Sequence, residues 1–130
     1  MACRFTELVI DCQDHDRLGR FWSQVLGYEI TGRSDGPDEF SVGLQGPSGA
    51  GPTILLVRTP DRKTVKNRLH IDVNATDRTQ EEEVERILAL GATHADVGQG
   101  EQSWVVLADP EGNEFCVLRS VIEPHRPPGP

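Results

Sequence analysis

No stretch of the chain is apolar for long enough to cross a bilayer. Nothing near its start joins basic residues to an apolar run, so neither a membrane anchor nor a secretory signal is expected. Cysteine is scarce: Cys3, Cys12 and Cys116 are an odd number without CxxC spacing. That argues against a disulfide framework, and reduced thiols in a cytoplasmic protein are the expectation. Positive charge is short as well. Thirteen Lys and Arg face 21 Asp and Glu, a formal net charge of −8, which argues against nucleic acid because its phosphates would be repelled. Aromatic residues make up only 5% of the 130 residues. What is present suits one globular domain over residues 1–122, able to bury roughly two thirds of its unfolded surface. The tail EPHRPPGP, residues 123–130, is too rich in proline to join a core and reads as extended or disordered.

One segment runs against the acidic balance. RTPDRKTVKNR, residues 58–68, holds Arg58, Arg62, Lys63, Lys66 and Arg68 against a single Asp61. Its plain reading is a solvated connector; its sharper one is an anchor for an anionic small ligand. Glycine and proline gather in GLQGPSGAGPT, residues 43–53, which reads as a hairpin loop. It is no phosphate loop, because no Lys-Ser/Thr follows its glycines and no strand-to-helix context surrounds it.

The two halves repeat one another. ELVIDCQD (7–14) aligns with HIDVNATD (70–77), an offset of 63 residues that sets Glu7 against His70. A helix is predicted after each. In the first, Leu18, Phe21, Trp22, Val25 and Leu26 form one apolar stripe that stops at Gly27. In the second, Thr79 and Glu82 fit a capping box, Val84, Ile87 and Leu88 supply the stripe, and Gly91 closes it. Strand-like runs follow: YEITG, EFSVGLQ and TILLVR, then a weak ATHADV, SWVVLAD and EFCVLR. The last pair of runs sets Leu55 against Cys116, and DPEGN (109–113) is a tight turn in which Gly112 can take a positive φ. Each half therefore reads β-α-β-β-β: module 1 over 4–59, module 2 over 68–121. The fold class is α+β, two modules forming a curved eight-stranded trough with the helices outside.

Strand alternation then selects the candidates. Read as a strand, RLHIDV (68–73) turns His70, Asp72 and Asn74 to one side and Ile71, Val73 and Ala75 to the other. In module 1 the same side carries Glu7, Val9 and Asp11, while Leu8, Ile10 and Cys12 face the helix. Polar residues on a concave face suit ligand binding better than core packing. Glu7, His70, Asp72 and Trp104 are ligand-binding candidates, with Glu7 and His70 the candidates for catalysis; Cys116 reads as a small buried hydrophobe rather than a nucleophile. Trp104 is an aromatic wall or a core residue, and Phe40 and Val42 are candidate linings of the first half. Trp22 reads as core, Asp109 and Asn113 as turn residues, and His15 and His94 as surface.

The paired modules, the helical FW followed by VLG, the KNRLHIDV stretch and the WVVLADPEGNEFCVL ending resemble the vicinal oxygen chelate superfamily. Its members include glyoxalase I, bleomycin-resistance proteins and extradiol dioxygenases, and the likeness is to a glyoxalase-like branch of small bacterial proteins. It covers residues 4 to about 121. Metal-using members place four ligands at the start of the first strand and in the last strand of each module. Carried onto this chain, those positions are Glu7, Leu55, His70 and Cys116. His70 matches the usual histidine. Glu7 stands where histidine or glutamine is usual, Leu55 cannot ligate, and Cys116 replaces the final carboxylate, a position by which the resemblance adds Cys116 to the ligand-binding candidates. The resemblance thus implies a small organic ligand held in the trough between modules, in a homodimer, with no cofactor expected and a divalent metal (zinc, nickel or iron) at Glu7, His70 and Cys116 as the alternative. An extradiol-type iron site would need two histidines and a carboxylate, which this set lacks. The rival functions are a metal-dependent lyase, isomerase or dioxygenase-like enzyme, and a drug-sequestering resistance protein.

Overall fold

ELVIDC forms strand β1 (Glu7–Cys12), and Asp14 then starts helix α1 (His15–Leu26) by accepting the backbone N–H of Arg17 on its side chain. Gly27, at φ 67°, ends the helix in the left-handed conformation that the LG pair predicts. Strands β2 (Glu29–Asp35), β3 (Phe40–Gln45) and β4 (Thr53–Arg58) complete the first module. The second repeats the plan with β5 (Ile71–Val73), α2 (Gln80–Leu90), β6 (Thr93–His94), β7 (Val105–Ala108) and β8 (Glu114–Val117). The capping box is present: Thr79 accepts from the Glu82 N–H while Glu82 accepts from the Thr79 N–H. The computed structural model describes residues 2–35 and 40–124. Its two compact units divide between Arg62 and Lys63, the second running to Pro124.

Each unit carries its own four-stranded sheet, ordered β1-β4-β3-β2 in one and β5-β8-β7-β6 in the other. In both, the first and last strands of the module pair in parallel and the remaining pairs are antiparallel. Each module thus has the β-α-β-β-β order expected. In the first unit Leu18, Phe21 and Trp22 of α1 are buried with Val42 and Leu44 of β3 and Ile54 and Leu56 of β4. Phe21 and Trp22 meet edge to face, ring centres 5.2 Å apart. Gly19 lies close against the sheet: a Cβ on it would sit 3.1 Å from Val42 Cγ1 and 3.4 Å from Leu56 Cδ1, so Val42 would have to give way by a few tenths of an ångström. The second core is built from Val84 and Ile87 of α2 with Leu107, Phe115 and Val117. In β1, Glu7, Val9 and Asp11 are exposed and Cys12 is buried, the alternation the sequence predicts.

The structure corrects several expectations. The strand read across 68–73 is shorter, with only Ile71–Val73 paired. ATHADV keeps two strand residues. The glycine-rich stretch 43–53 is not all loop, because β3 runs to Gln45 and Pro47–Gly49 form a 3-10 turn. His15 is buried at 6% exposure rather than on the surface. It lies one turn before Leu18 and Gly19, on the stripe that faces the sheet. Val42 points at Gly19 on the helix side instead of lining the open face. The side chain of Phe40, and His125 in the tail, lie outside the described residues. The 58–68 segment is more than a solvated connector: Lys63 bonds Glu114, and Asn67 bonds Asn113 and Glu114.

Leu56 has no exposed surface and sits under α1. Leu56→Ala should cost about 2–5 kcal/mol of unfolding free energy in a urea titration. An exposed change such as Glu85→Gln should stay within about 0.5 kcal/mol of the wild type.

Candidate functional site

Parallel pairing places Asp72 of β5 directly opposite Cys116 of β8, and Cys116 also faces Val106 of β7. Neighbours across a sheet share a face, so Asp72, Cys116 and Val106 line the side that α2 does not cover. His70 comes just before β5, and alternation keeps it on that side: its Nε2 lies 3.1 Å from Asp72 Oδ1. His70, Asp72 and Cys116 each offer a ligating atom, all within 4.8 Å of one another. Above them opens a cavity of about 350 Å³, whose walls include Lys66, Val97, Trp104 and Leu118. Every lining residue belongs to the second unit. The His70 and Asp72 side chains are each 46% exposed, while Cys116 is buried at 8% and forms the floor.

The floor thiol is held protonated. Burial pushes its pKa up, the Asp72 charge and a hydrogen bond to Asp72 add to that, and only Lys66 pulls the other way. Cys116 is therefore a neutral donor toward Asp72 rather than a ready nucleophile. Glu114, at the cavity rim, behaves oppositely. Burial works to raise its pKa but is outweighed by the bonds from Lys63 Nζ at 2.7 Å and from the Asn67 N–H at 3.1 Å, and the net shift is downward. Asp109 is a turn anchor, as expected: its buried carboxylate accepts the backbone N–H groups of Glu111 and Asn113 and the Asn113 side chain. Gly112 takes φ 90° to close that turn.

A sequence profile of the glyoxalase-like domain family matches residues 7–118. The chain belongs to this glyoxalase-like family. Its solved neighbours lie in the vicinal oxygen chelate superfamily. The fosfomycin resistance protein FosX from Mesorhizobium loti superposes with a TM-score of 0.70 at 12% identity, over 94% of this chain and 95% of that one. FosX from Listeria monocytogenes, in a crystal structure with Mn(II) and sulfate, gives 0.71 at 17% identity over 95% and 98%. Leishmania major glyoxalase I, described as trypanothione-dependent, gives 0.65 at 18% identity over 91% and 87%. At such identities these likenesses establish the fold alone. No curated protein matches the chain.

Of the residues singled out in the sequence of this glyoxalase-like chain, the structure gathers His70, Asp72, Trp104 and Cys116 around one cavity. Glu7 is exposed on β1 of the first unit and lies outside that lining. Leu55 stands on β4 opposite Val9, an apolar pair at the positions that Asp72 and Cys116 occupy in the second unit. Asn74 is tied elsewhere, its amide donating to the Ser120 carbonyl at 2.8 Å. The sequence reading missed Val97, Gln99, Val106, Glu114 and Leu118. Val97 and Gln99 lie in an irregular stretch with no periodicity to follow, but Leu118 was readable as two positions beyond Cys116. It also left Asp72 out of the metal candidates, although its place two residues after His70 was the signal.

Two pH effects follow. Asp72→Asn removes the charge that raises the Cys116 pKa, so iodoacetamide should label Cys116 faster in the variant near pH 8, with exposed Cys3 labelled first in both proteins; peptide mass spectrometry reads each site. Glu114, its folded pKa depressed, contributes stability above the ordinary carboxylate range that is lost as pH falls through its folded pKa. Glu114→Gln should therefore lower the neutral-pH melting temperature and flatten its acid limb in a calorimetric pH series.

Proposed function

We propose that this glyoxalase-like chain binds a small organic ligand in the cavity of the second unit. His70 and Asp72 supply directional polar contacts and Trp104 an apolar wall over the Cys116 floor. One observation carries the reading: an aromatic side chain and a His-Asp pair 3.1 Å apart converge on about 350 Å³ of space that α2 leaves uncovered. Trp104 remains 37% exposed, a poor arrangement for a core residue and a useful one for stacking on a ligand. Imidazole and carboxylate are the side-chain types that serve as general acids and bases, so binding with turnover and drug sequestration share this site. The same reading takes the protein to be a homodimer of the cytoplasm, which its free thiols suit.

A second reading is metal-assisted lyase, isomerase or dioxygenase-like chemistry, favoured by the close grouping of His70, Asp72 and Cys116. Imidazole, carboxylate and thiolate form a donor set that fits zinc better than the all-oxygen set preferred by hard ions. Those three residues would hold the ion, which would supply Lewis acidity to a bound oxygen. Cys116 would first have to give up the proton it shares with Asp72, so uptake would strengthen as pH rises.

A metabolite screen by thermal shift tests the first reading. A ligand at about 100 times its Kd adds about 2.7 kcal/mol of stability, and His70→Ala and Trp104→Ala should each remove most of the shift. A ligand that shifts both variants as much as the wild type would place binding elsewhere. Elemental analysis of untagged protein, followed by zinc titration in wild type and His70→Ala, tests the second. Zinc uptake of equal strength in both would rule His70 out as a ligand.

A further inference from the structure

We infer that the cavity selects organic anions, the Lys66 ammonium binding the acid group while an apolar body lies against Trp104; this rests on the ligand-binding reading above. The chain contains only two lysines, Lys63 and Lys66, three positions apart in one segment. The structure gives them different work. Lys63 Nζ is bonded to Glu114 Oε1 at 2.7 Å, and both side chains are largely buried. Lys66 lines the cavity, and its Nζ donates to the neutral carbonyl of Asn67 at 3.1 Å. Among the described residues, that bond uses one of its three N–H donors and no carboxylate is paired with it.

The charges around it complete the argument. Lys66, His70, Asp72 and Glu114 are the charged or titratable side chains of the lining besides the Cys116 thiol. Glu114 is paired with the Lys63 ammonium and accepts the Asn67 N–H. Asp72 faces His70 at 3.1 Å and receives the Cys116 thiol. Each carboxylate already has protein donors, while the exposed Lys66 ammonium has only water and one neutral carbonyl among the described residues, water that an anion can replace. An entering carboxylate, sulfonate or phosphonate would provide charge-assisted hydrogen bonds at that point. The field of the acidic chain is screened beyond about 8–10 Å at ordinary salt, so contact chemistry decides the preference. Val97, Trp104, Val106 and Leu118 leave the rest of the space apolar, and the remainder of the ligand must match it.

The experiment compares two probes with the same ring, 2-naphthoate and 2-naphthalenemethanol, by calorimetry and ligand-observed NMR on the full chain. Wild type should bind the anion at least about tenfold more tightly than the alcohol, the worth of one charge-assisted bond. Lys66→Met should remove that preference while alcohol binding persists, Lys66→Arg should restore much of it, and added salt should erode it. Lys66 is exposed, so these variants should melt like the wild type. Equal binding of the two probes by wild type, both weakened by Trp104→Ala, overturns the anion inference and leaves the ligand cavity standing. A preference that survives in Lys66→Met also overturns it, as does tighter binding of the cationic 2-naphthylmethylamine, which would make Asp72 the anchor. Failure of every probe to bind overturns both readings.

Discussion

Parallel pairing between the first and last strand of each module is the constraint from which the rest follows. Parallel neighbours need a long crossover, and here a helix begins that return and settles on one face of the sheet. The last strand lands inside the sheet, between the first strand and an antiparallel partner. One face becomes core and the other stays uncovered. In the second unit this sets Cys116 beside Asp72, with His70 one step before the strand. Three residues separated by up to 46 positions in sequence become a single polar cluster.

The doubled plan makes the difference between the halves informative. Register is preserved: Val9 lies opposite Leu55 in one unit as Asp72 lies opposite Cys116 in the other. The same backbone geometry therefore presents an aliphatic pair once and a carboxylate-thiol pair once. The repeat offers two equivalent positions, and at these the carboxylate and the thiol stand in the second unit only. The first module's stronger feature is its core, where α1 presents the bare Gly19 to the Val42 and Leu56 side chains.

Much of this was legible in the sequence because its signals are local. The Leu18–Trp22 stripe, the Thr79–Glu82 box, the LG helix ends and the DPEGN turn each declare themselves within a few residues, and all are present. Alternation also brought out His70 and Asp72 as a shared face, and the family resemblance added Cys116. What escaped depends on distant partners. The role of Lys63 needs Glu114, 51 positions away. Burial of His15 needs the true start of α1, which Asp14 sets before the obvious stripe begins. Strand lengths escaped too, since RLHIDV has strand composition throughout but finds parallel partners only for its last three residues.

The bonds from Lys63 and Asn67 to the end of the DPEGN turn and the start of β8 have a thermodynamic corollary. They moor the backbone on either side of Lys66 before any guest arrives. Capturing a guest then need not freeze a loose loop; the rotamers of one lysine are the main freedom left to surrender, about 2 kcal/mol at most. A floppy arm carrying the same charge would forfeit far more entropy. Much of the ordering that a tight complex demands has already been met during folding.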